Sequence, residues 1–294
     1  MMHVLSIFAP LAVKWNVSPE LLHIGFIHVR YYGILFILGF ILGYYLFTWF
    51  YKREGLPVSL LDPLLYVLLG CTLVGARLGH VLFYEPAFYF AHPWKIFAVW
   101  EGGLASHGGA IAILLGLWWY ARHYGRKYDF DYLWMLDRVG IAIPFAGMFI
   151  RLGNLMNSEI YGHVTDLPWG FIFLQRGETL PKHPTQLYEA LCYLLTGTVL
   201  VLLYKYCLPK MKRGFFFGLF LIGIFASRFF IEFIKEPQAL FEQGMPINMG
   251  QILSIPFVLL GIFLIARSFR ISTPAARVSG KPGSRKGAAA KPRK

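Results

Sequence analysis

Charge is scarce in this chain. Of its 294 residues only 15% are Asp, Glu, Lys or Arg, while 57% are hydrophobic. A water-soluble domain carries about 25% charged residues because it needs polar surface, so that class is excluded. No charge at all falls between Tyr31 and Tyr51, a run longer than the roughly 20 residues that cross a bilayer. Core helices of soluble proteins are usually shorter, which leaves a membrane span as the reading. Negative charge is the scarcer sign, with 15 acidic against 28 basic residues and a net charge of +13. The basic residues stand beside apolar runs, as topology determinants and contacts with anionic membrane lipids do. Nucleic acid is not expected as a partner.

Other absences narrow the chemistry. Cys71, Cys192 and Cys207 are odd in number, fall in apolar segments and lack metal-ligand spacing. They are expected to pack as small apolar side chains. No HExxH, GxSxG or Walker loop occurs, so no metal and no cofactor is expected. No clear internal repeat is visible, which withholds support from an inverted-repeat transporter. The opening "MMHVLSIFAPLAVKWN" lacks a basic start and a small-residue cleavage site, and is not read as a signal peptide.

What is present is a series of apolar segments. Spans are expected at 31–51, 61–84, 103–121, 132–152, 187–206, 214–234 and 250–267. The fourth is apolar only from Val139 to Ile150 and needs shielding by neighbours. Lys52 and Arg53, then Arg122, Arg126 and Lys127, then Lys205, Lys210, Lys212 and Arg213, then Arg267 and Arg270 fall in alternate connections. Cytoplasmic connections are the basic ones. The expected fold class is therefore an all-α integral membrane protein of seven transmembrane helices. Its N-terminus lies outside, its C-terminus in the cytoplasm, and a small irregular region lies on the outer face. The expected division is an outer segment 1–30, a membrane domain 31–268 with loop 153–186 as a small head, and a basic, disordered tail 269–294. "GFIFLQRGETLPKHPTQ" in that loop suits a small β-hairpin or an ordered arm.

This orientation assigns depths to the ionisable residues. Arg77 and His80 lie at the outer end of span two, His107 at the outer start of span three and Arg151 at the outer end of span four. Glu189 opens span five, and Arg228 and Glu232 stand in the outer third of span six. Asp137 and Arg138 are the exception, deeper or towards the cytoplasm. Charges within a bilayer are costly and mark sites. A single span-end arginine can simply snorkel, but a set at one depth calls for a shared ionic site. Arg228 and Glu232, four apart, can pair on one helix face in a structural or a functional role.

Three stretches carry the polar groups. In "FIRLGNLMNSEIYG", residues 149–162, Arg151 offers a planar fork for phosphate or carboxylate. Asn154, Asn157 and Glu159 add hydrogen-bonding groups, and Gly153 and Gly162 allow close approach. Helix capping accounts for Gly153 and Asn154 but not for Arg151 with Glu159. In "VWEGGLASHGGA", residues 99–110, His107 suits proton transfer near neutrality, or a headgroup hydrogen bond. In "KHPTQLYEA", residues 182–190, Pro184 and Thr185 suit a helix start. His183, Gln186 and Glu189 there either face the site or order the loop.

Together these stretches resemble the prolipoprotein diacylglyceryl transferases of bacterial inner membranes. The resemblance runs from about residue 25 to 268 through "RYYGILFILGF", "GARLGHVLFY", "VWEGGLASHGG", "RLGNLMNSEIYG", "HPTQLYE", "SRFFIEFIKEP" and "MGQILSIP". It implies seven spans and transfer of the diacylglyceryl group of phosphatidylglycerol to the lipobox cysteine of a preprolipoprotein, with release of glycerol phosphate. It implies Tyr32 as an essential tyrosine, His107 as base, and Arg151, Asn154, Glu159 and Gly162 as the signature. It implies Arg228 and Glu232 as the charged pair of span six. The expected catalytic set is His107, Arg151, Arg228 and Tyr32. Arg151, Asn154, Asn157, Glu159, Gly162, Arg228, Glu232, Arg77 and His183 are expected to bind substrate, with Glu159 and Glu232 holding the arginines. Ile150, Ser158 and Ile224 depart from residues common in the family and bear on local packing. A monomer is expected. The rival reading is a lipid transporter or flippase, which needs polar residues at the midplane; a ligand-sensing seven-span receptor is a third.

The charge alternation carries a test. Single cysteines placed in 153–186 and in 269–294 of a cysteine-free variant should differ in intact cells. An impermeant thiol reagent is expected to label the first region and spare the second. Labelling of the tail alone would overturn the orientation.

Overall fold

A backbone in lipid must satisfy its own hydrogen bonds, so apolar runs fold as helices. The computed structural model describes residues 12–25, 27–237, 242 and 245–276. In chain order it contains β1 (Val13–Trp15), β2 (Glu20–Ile24), β3 (Ile27–Arg30), α1 (Tyr31–Arg53), α2 (Leu61–Phe83) and α3 (Pro86–Ala91). There follow α4 (Ser106–Tyr128), α5 (Tyr132–Met156), β4 (Phe171–Phe173), α6 (Thr185–Cys207), α7 (Phe215–Ile231) and α8 (Met249–Arg270). Most of the tail, residues 277–294, lies outside the described residues.

Six helices among the described residues, α1, α2, α5, α6, α7 and α8, are long and apolar enough to cross a membrane. The protein is thus a mostly helical, multi-pass membrane protein. Helix α4 differs. Its 23 residues extend about 35 Å at 1.5 Å each, enough for a bilayer core. It falls short in apolarity because Ser106 and His107 open it and Arg122, His123, Arg126 and Lys127 close it. It also begins three residues later than the expected third span. Helix α5, expected to need shielding, is the most buried of the six, 39% of its apolar window against 17–28% elsewhere.

The chain forms two compact units. One runs to Phe47 and resumes from Asp137 to Ala275; the other is Thr48–Leu136. In the first unit Asp137, fully buried, accepts from the backbone N–H of Gly214 at 2.8 Å and of Phe217 at 2.9 Å. A carboxylate at a helix N-terminus is favoured, so Asp137 fixes the start of α7. Arg138 donates to the Ala275 carbonyl at 2.8 Å and stacks on the Tyr204 ring. These two costly charges are structural. Gly218 and Gly261 bring α7 and α8 together, since a Cβ on either would overlap the other's carbonyl.

A small head sits on this unit. β1 pairs in parallel with β4, Val13 with Phe171 and Trp15 with Phe173, and β2 pairs antiparallel with β3. The Trp15 indole donates to the Leu155 carbonyl at 3.0 Å, tying the head to the end of α5. The expected arm in the 153–186 loop is ordered: Phe171 and Lys182 exchange backbone hydrogen bonds of 2.9 Å.

In the second unit α2 and α4 cross through glycine. A Cβ on Gly75 would overlap Ala112 and the Gly108 carbonyl, and one on Gly79 would overlap the Gly108 backbone. Small residues four apart let helices in lipid pack by close backbone approach. Below the crossing, Tyr120 donates to the Leu60 carbonyl at 2.8 Å, and Trp134 to Glu54 at 2.9 Å.

Glycine spacing sets an expectation. Gly108→Val should cost about 1–3 kcal/mol of overpacking or more, read as a lower melting temperature and lower yield in detergent. Gly70→Ala, on the same α2 but facing open space, should stay within about 0.5 kcal/mol. Equal tolerance of both changes would refute a tight α2–α4 crossing.

Candidate active site

Four helix ends of the first unit meet in one place: the C-terminal ends of α5 and α7 and the N-terminal ends of α6 and α8. Arg151 of α5 has its Nε 2.8 Å from Oε2 of Glu189 on α6, an ion pair outside the geometry of a directed hydrogen bond. The other Glu189 oxygen accepts from Lys235 Nζ at 3.0 Å, and Lys235 also donates to Glu232 Oε2 at 3.3 Å. Glu232 lies 3.8 Å from Nε of Arg228 on α7. Arg151, Glu189, Lys235, Glu232 and Arg228 thus form one chain of alternating sign with a net charge of +1. Glu189 and Lys235 are 0% and 1% exposed, whereas Arg151 is 15% and Arg228 34% exposed. A ligand can therefore reach the two ends but not the middle. The Tyr193 hydroxyl lies within electrostatic reach of Arg151.

Surrounding elements hold this chain in register. Glu232 packs on Gly250 in the first turn of α8, where a side chain would overlap its carboxylate. The helix N-terminus favours that negative charge. Asn248 and Gln251 close the same turn as a reciprocal capping box. Gly162 is required by crowding: a Cβ there would overlap the Ile234 carbonyl, Thr185 and His183. Its N–H donates to the His183 carbonyl at 2.9 Å, and the His163 N–H to the Ile234 carbonyl at 2.9 Å. That pairing delivers Lys235 to its two carboxylates.

The signature stretch forms a second branch. Arg151 Nη1 donates to Asn154 Oδ1 at 3.1 Å. Asn154 and Asn157 both donate to Glu159 Oε1, at 2.8 and 3.2 Å. Ser158 and Ile160 have left-handed backbones, φ 51° and 62°, rare for a β-branched residue. Such strain costs about 1–3 kcal/mol per residue and persists only where neighbours fix it. Here Gln186 donates to the Glu159 carbonyl at 2.6 Å, Thr185 to that of Ile160 at 2.9 Å, and Arg176 to that of Ser158 at 3.0 Å. The Tyr32 ring lies on Gly153, where a side chain would collide with it.

A cleft of about 350 Å³ opens beside this turn, lined by Ser158, Glu159, Ile160, Tyr161, Arg176, Glu236 and Pro237. At its edge Tyr161 donates to Glu178 at 2.6 Å, and Lys182 bridges Glu178 and Glu236. Burial raises Glu178, but Tyr161 and Lys182 outweigh it and hold this carboxyl below its usual range. Burial, reinforced by His163, lowers His183, so its imidazole is neutral at pH 7. Its ring lies 3.4 Å from the Tyr188 hydroxyl.

The second unit holds His107 and Arg77. His107, in the first turn of α4, is exposed, with its ring against Phe83 and Tyr84. The guanidinium of Arg77, a residue expected to bind substrate, donates to the carbonyls of Lys95, Ile96, Gly102 and Gly103 and stacks on Tyr89. Those bonds order the loop between α3 and α4. Among the described residues no three His, Cys, Asp or Glu side chains gather as a metal cage.

Comparison with known proteins bears directly on this arrangement. The family profile described as prolipoprotein diacylglyceryl transferase matches residues 19–267. The chain belongs to that family. A relative from Tolumonas auensis, named phosphatidylglycerol–prolipoprotein diacylglyceryl transferase, is 50% identical over 86% of this chain and 96% of its own length. A Bacteroides fragilis protein of the same name is 43% identical over 87% and 95%, and one from Vibrio cholerae 37% over 90% and 97%.

For this family member the structure gathers Tyr32, Arg151, Asn154, Asn157, Glu159, Gly162, His183, Arg228 and Glu232 within the first unit. Sequence reasoning paired Arg228 with Glu232, as found, but misassigned the partner of Arg151. Glu189, not Glu159, is the carboxylate of Arg151. Lys235 had been left in an outer connection, although its spacing of three from Glu232 was a usable signal. Tyr193 carried no signal at all.

The ionic chain predicts a rescue. Glu189→Gln leaves the buried Lys235 and the part-buried Arg151 short of a partner, and breaking a buried pair costs about 3–5 kcal/mol. The melting temperature should fall steeply. Glu189→Gln with Lys235→Met should be more stable than Glu189→Gln alone, because the stranded ammonium is gone. A double variant no better than the single one would show that Lys235 is not held by Glu189.

Proposed function

We propose that this family member transfers the diacylglyceryl group of phosphatidylglycerol to the lipobox cysteine thiol of a preprolipoprotein, releasing glycerol phosphate. The observation that carries the reading is the ionic chain whose reachable ends are Arg151 and Arg228, in a protein half identical to a named transferase. Two accessible guanidiniums suit a phosphate, since each presents a fork of donors to its oxygens.

In this reading a C–S bond forms at the diacylglyceryl carbon that carried the phosphate. The C–O bond to that phosphate breaks, and glycerol phosphate leaves with the bonding electrons. Arg151 and Arg228 hold the phosphate and stabilise the departing charge. Asn154 and Tyr32 orient the headgroup, while Gly162, through its contact with Ile234, keeps Lys235 in place. The thiol proton passes to His107, or to water held by it, and on to solvent. Glu159 orients the two asparagines, and Arg77 orders the loop before His107.

The finer topology belongs to the same proposal. Helix α4 is the seventh span, since its length suffices and its polar ends suit the two interfaces. The N-terminus lies outside and the C-terminus in the cytoplasm of a bacterial inner membrane. The protein works as a monomer, with 1–30 and 153–186 on the outer face and 269–294 as a cytoplasmic tail. A flippase would need polar groups at mid-span, and the site groups stand instead at helix ends.

Headgroup reading supplies the test. A zwitterionic lipid brings an ammonium that the arginines repel and lacks the glycerol hydroxyls. Sites built to hydrogen-bond a hydroxyl reject analogues without it by up to about 10,000-fold. Purified protein, a lipobox peptide and one pure lipid at a time should give the thioether product, seen by mass spectrometry, with phosphatidylglycerol and essentially none with phosphatidylethanolamine. Arg151→Lys should lose activity for want of the fork. Comparable product from both lipids would remove the phosphate-and-hydroxyl role given to this site.

A further inference from the structure

A second basic site lies in the other unit, at the far end of α4 from His107. A cleft of about 260 Å³ is lined by Trp118, Ala121, Arg122, Gly125, Arg126, Phe130, Asp131 and Tyr132. Arg122 and Arg126 are four apart, so their side chains rise from one helix face about 6 Å apart. Both are exposed, and among the described residues neither has an ion-pair, hydrogen-bond or ring partner. Arg77, Arg138 and Arg151, by contrast, are all engaged. Asp131, the acid in the cleft, directs Oδ1 to the Trp134 N–H at 2.7 Å and so caps the start of α5. The rest of the lining is apolar and rigid. Phe130 is buried and its carbonyl sits against Gly125, where no side chain fits. The Tyr132 ring is fixed by its hydroxyl, which donates to the Leu114 carbonyl at 3.0 Å.

We infer that this cleft is a binding site for the phosphate of an anionic phospholipid, distinct from the site at Arg151. Two guanidiniums without partners, side by side over an apolar floor, present forks for the oxygens of one phosphodiester. The volume equals roughly nine water-sized groups of about 30 Å³, enough for a phosphate and its glycerol but not for acyl chains. Those continue along the exposed apolar face of α4, where Leu114, Leu115 and Trp118 stand out. A free phosphate ion could use the arginines but not that face. With Arg122 and Arg126 against Asp131 the cleft lining keeps a net charge of +1, so a lipid of net negative charge is preferred to a zwitterionic one. The site stands at the end of a helix whose basic residues belong to a membrane interface.

The test uses the full-length protein in neutral detergent and counts bound lipid by native mass spectrometry. Phosphatidic acid is the probe, because it has the phosphate but no headgroup glycerol; phosphatidylcholine and soluble glycerol phosphate are the comparison arms. Wild type should retain phosphatidic acid over phosphatidylcholine, with glycerol phosphate much weaker. Arg122→Gln with Arg126→Gln should weaken retention at this site by roughly 25-fold, about fivefold per arginine, while melting temperature and transferase activity stay unchanged. Lys127→Gln, next to the cleft but not lining it, should retain the lipid as wild type does. Retention unchanged in the double arginine variant would overturn the site. So would retention lost only in Arg151→Gln, which would put the lipid at the outer cluster. Glycerol phosphate binding as tightly as phosphatidic acid would mean that the cleft takes a free phosphate and not a lipid.

Discussion

Glu189 has no solvent and two cations. One oxygen faces Arg151 and the other Lys235, so this carboxylate cannot move without stranding both. A buried charge is tolerable only if it is paired and hydrogen-bonded. That requirement runs outwards in both directions, through Lys235 to Glu232 and Arg228, and through Arg151 to Asn154 and Glu159. Four helix ends are thereby set relative to one another by electrostatics, where apolar packing against lipid would give little selectivity. Lipid tails are as apolar as leucine, so polar contacts and close glycine approaches must specify the bundle.

The ionic chain in turn explains the backbone around it. Lys235 can reach both carboxylates only if residues 234 and 235 run close beside 162 and 163, and only glycine at 162 leaves room. Glu159 can meet both asparagines only if the chain turns sharply after α5, which forces Ser158 and Ile160 into left-handed conformations. The first turn of α6 then holds that turn through Thr185 and Gln186. The signature stretch and the "HPTQLYE" stretch are therefore one device. One carries Arg151, Asn154 and Glu159, and the other fixes the backbone that aims them.

How much of this was legible follows from the range of each interaction. The helices were readable because lipid forces a local solution, an uncharged run with its own hydrogen bonds. Helix α4 was harder, since its glycines serve contact with α2 and its ends are polar, so apolarity understates it. Arg151, Arg228 and the asparagines were readable because such groups near a span are costly enough to need a purpose. The Arg228–Glu232 pair was readable from its spacing of four, but the partners from distant segments were not. Glu189 and Lys235 lie 46 residues apart, and their pairing depends on how an outer segment folds over a glycine, which no local pattern encodes. Glu159 was given an arginine to hold because it was the nearest acid in sequence; the fold supplied a better-placed one from the next helix.

Arg77, Arg151 and Arg122 show why residue type and position in a span do not assign function. All three stand near a helix end, and from sequence each is a cation at a membrane interface. Arg77 is buried, and carbonyls from the segment 95–103 take up four of its hydrogen bonds. It acts as scaffold for a loop of short 3-10 turns, whose carbonyls would otherwise lack donors. Arg151 is paired by Glu189 on one side, which fixes its plane, yet it keeps an edge towards solvent. A guanidinium with no partner is mobile and one with every donor bonded can take no ligand; Arg151, held by Glu189 and Asn154, lies between the two. Among the described residues Arg122 has no partner, so none of them orders its guanidinium. The number of donors left open, and the rigidity with which the rest are held, separates an arginine that is scaffold from one that can take a ligand.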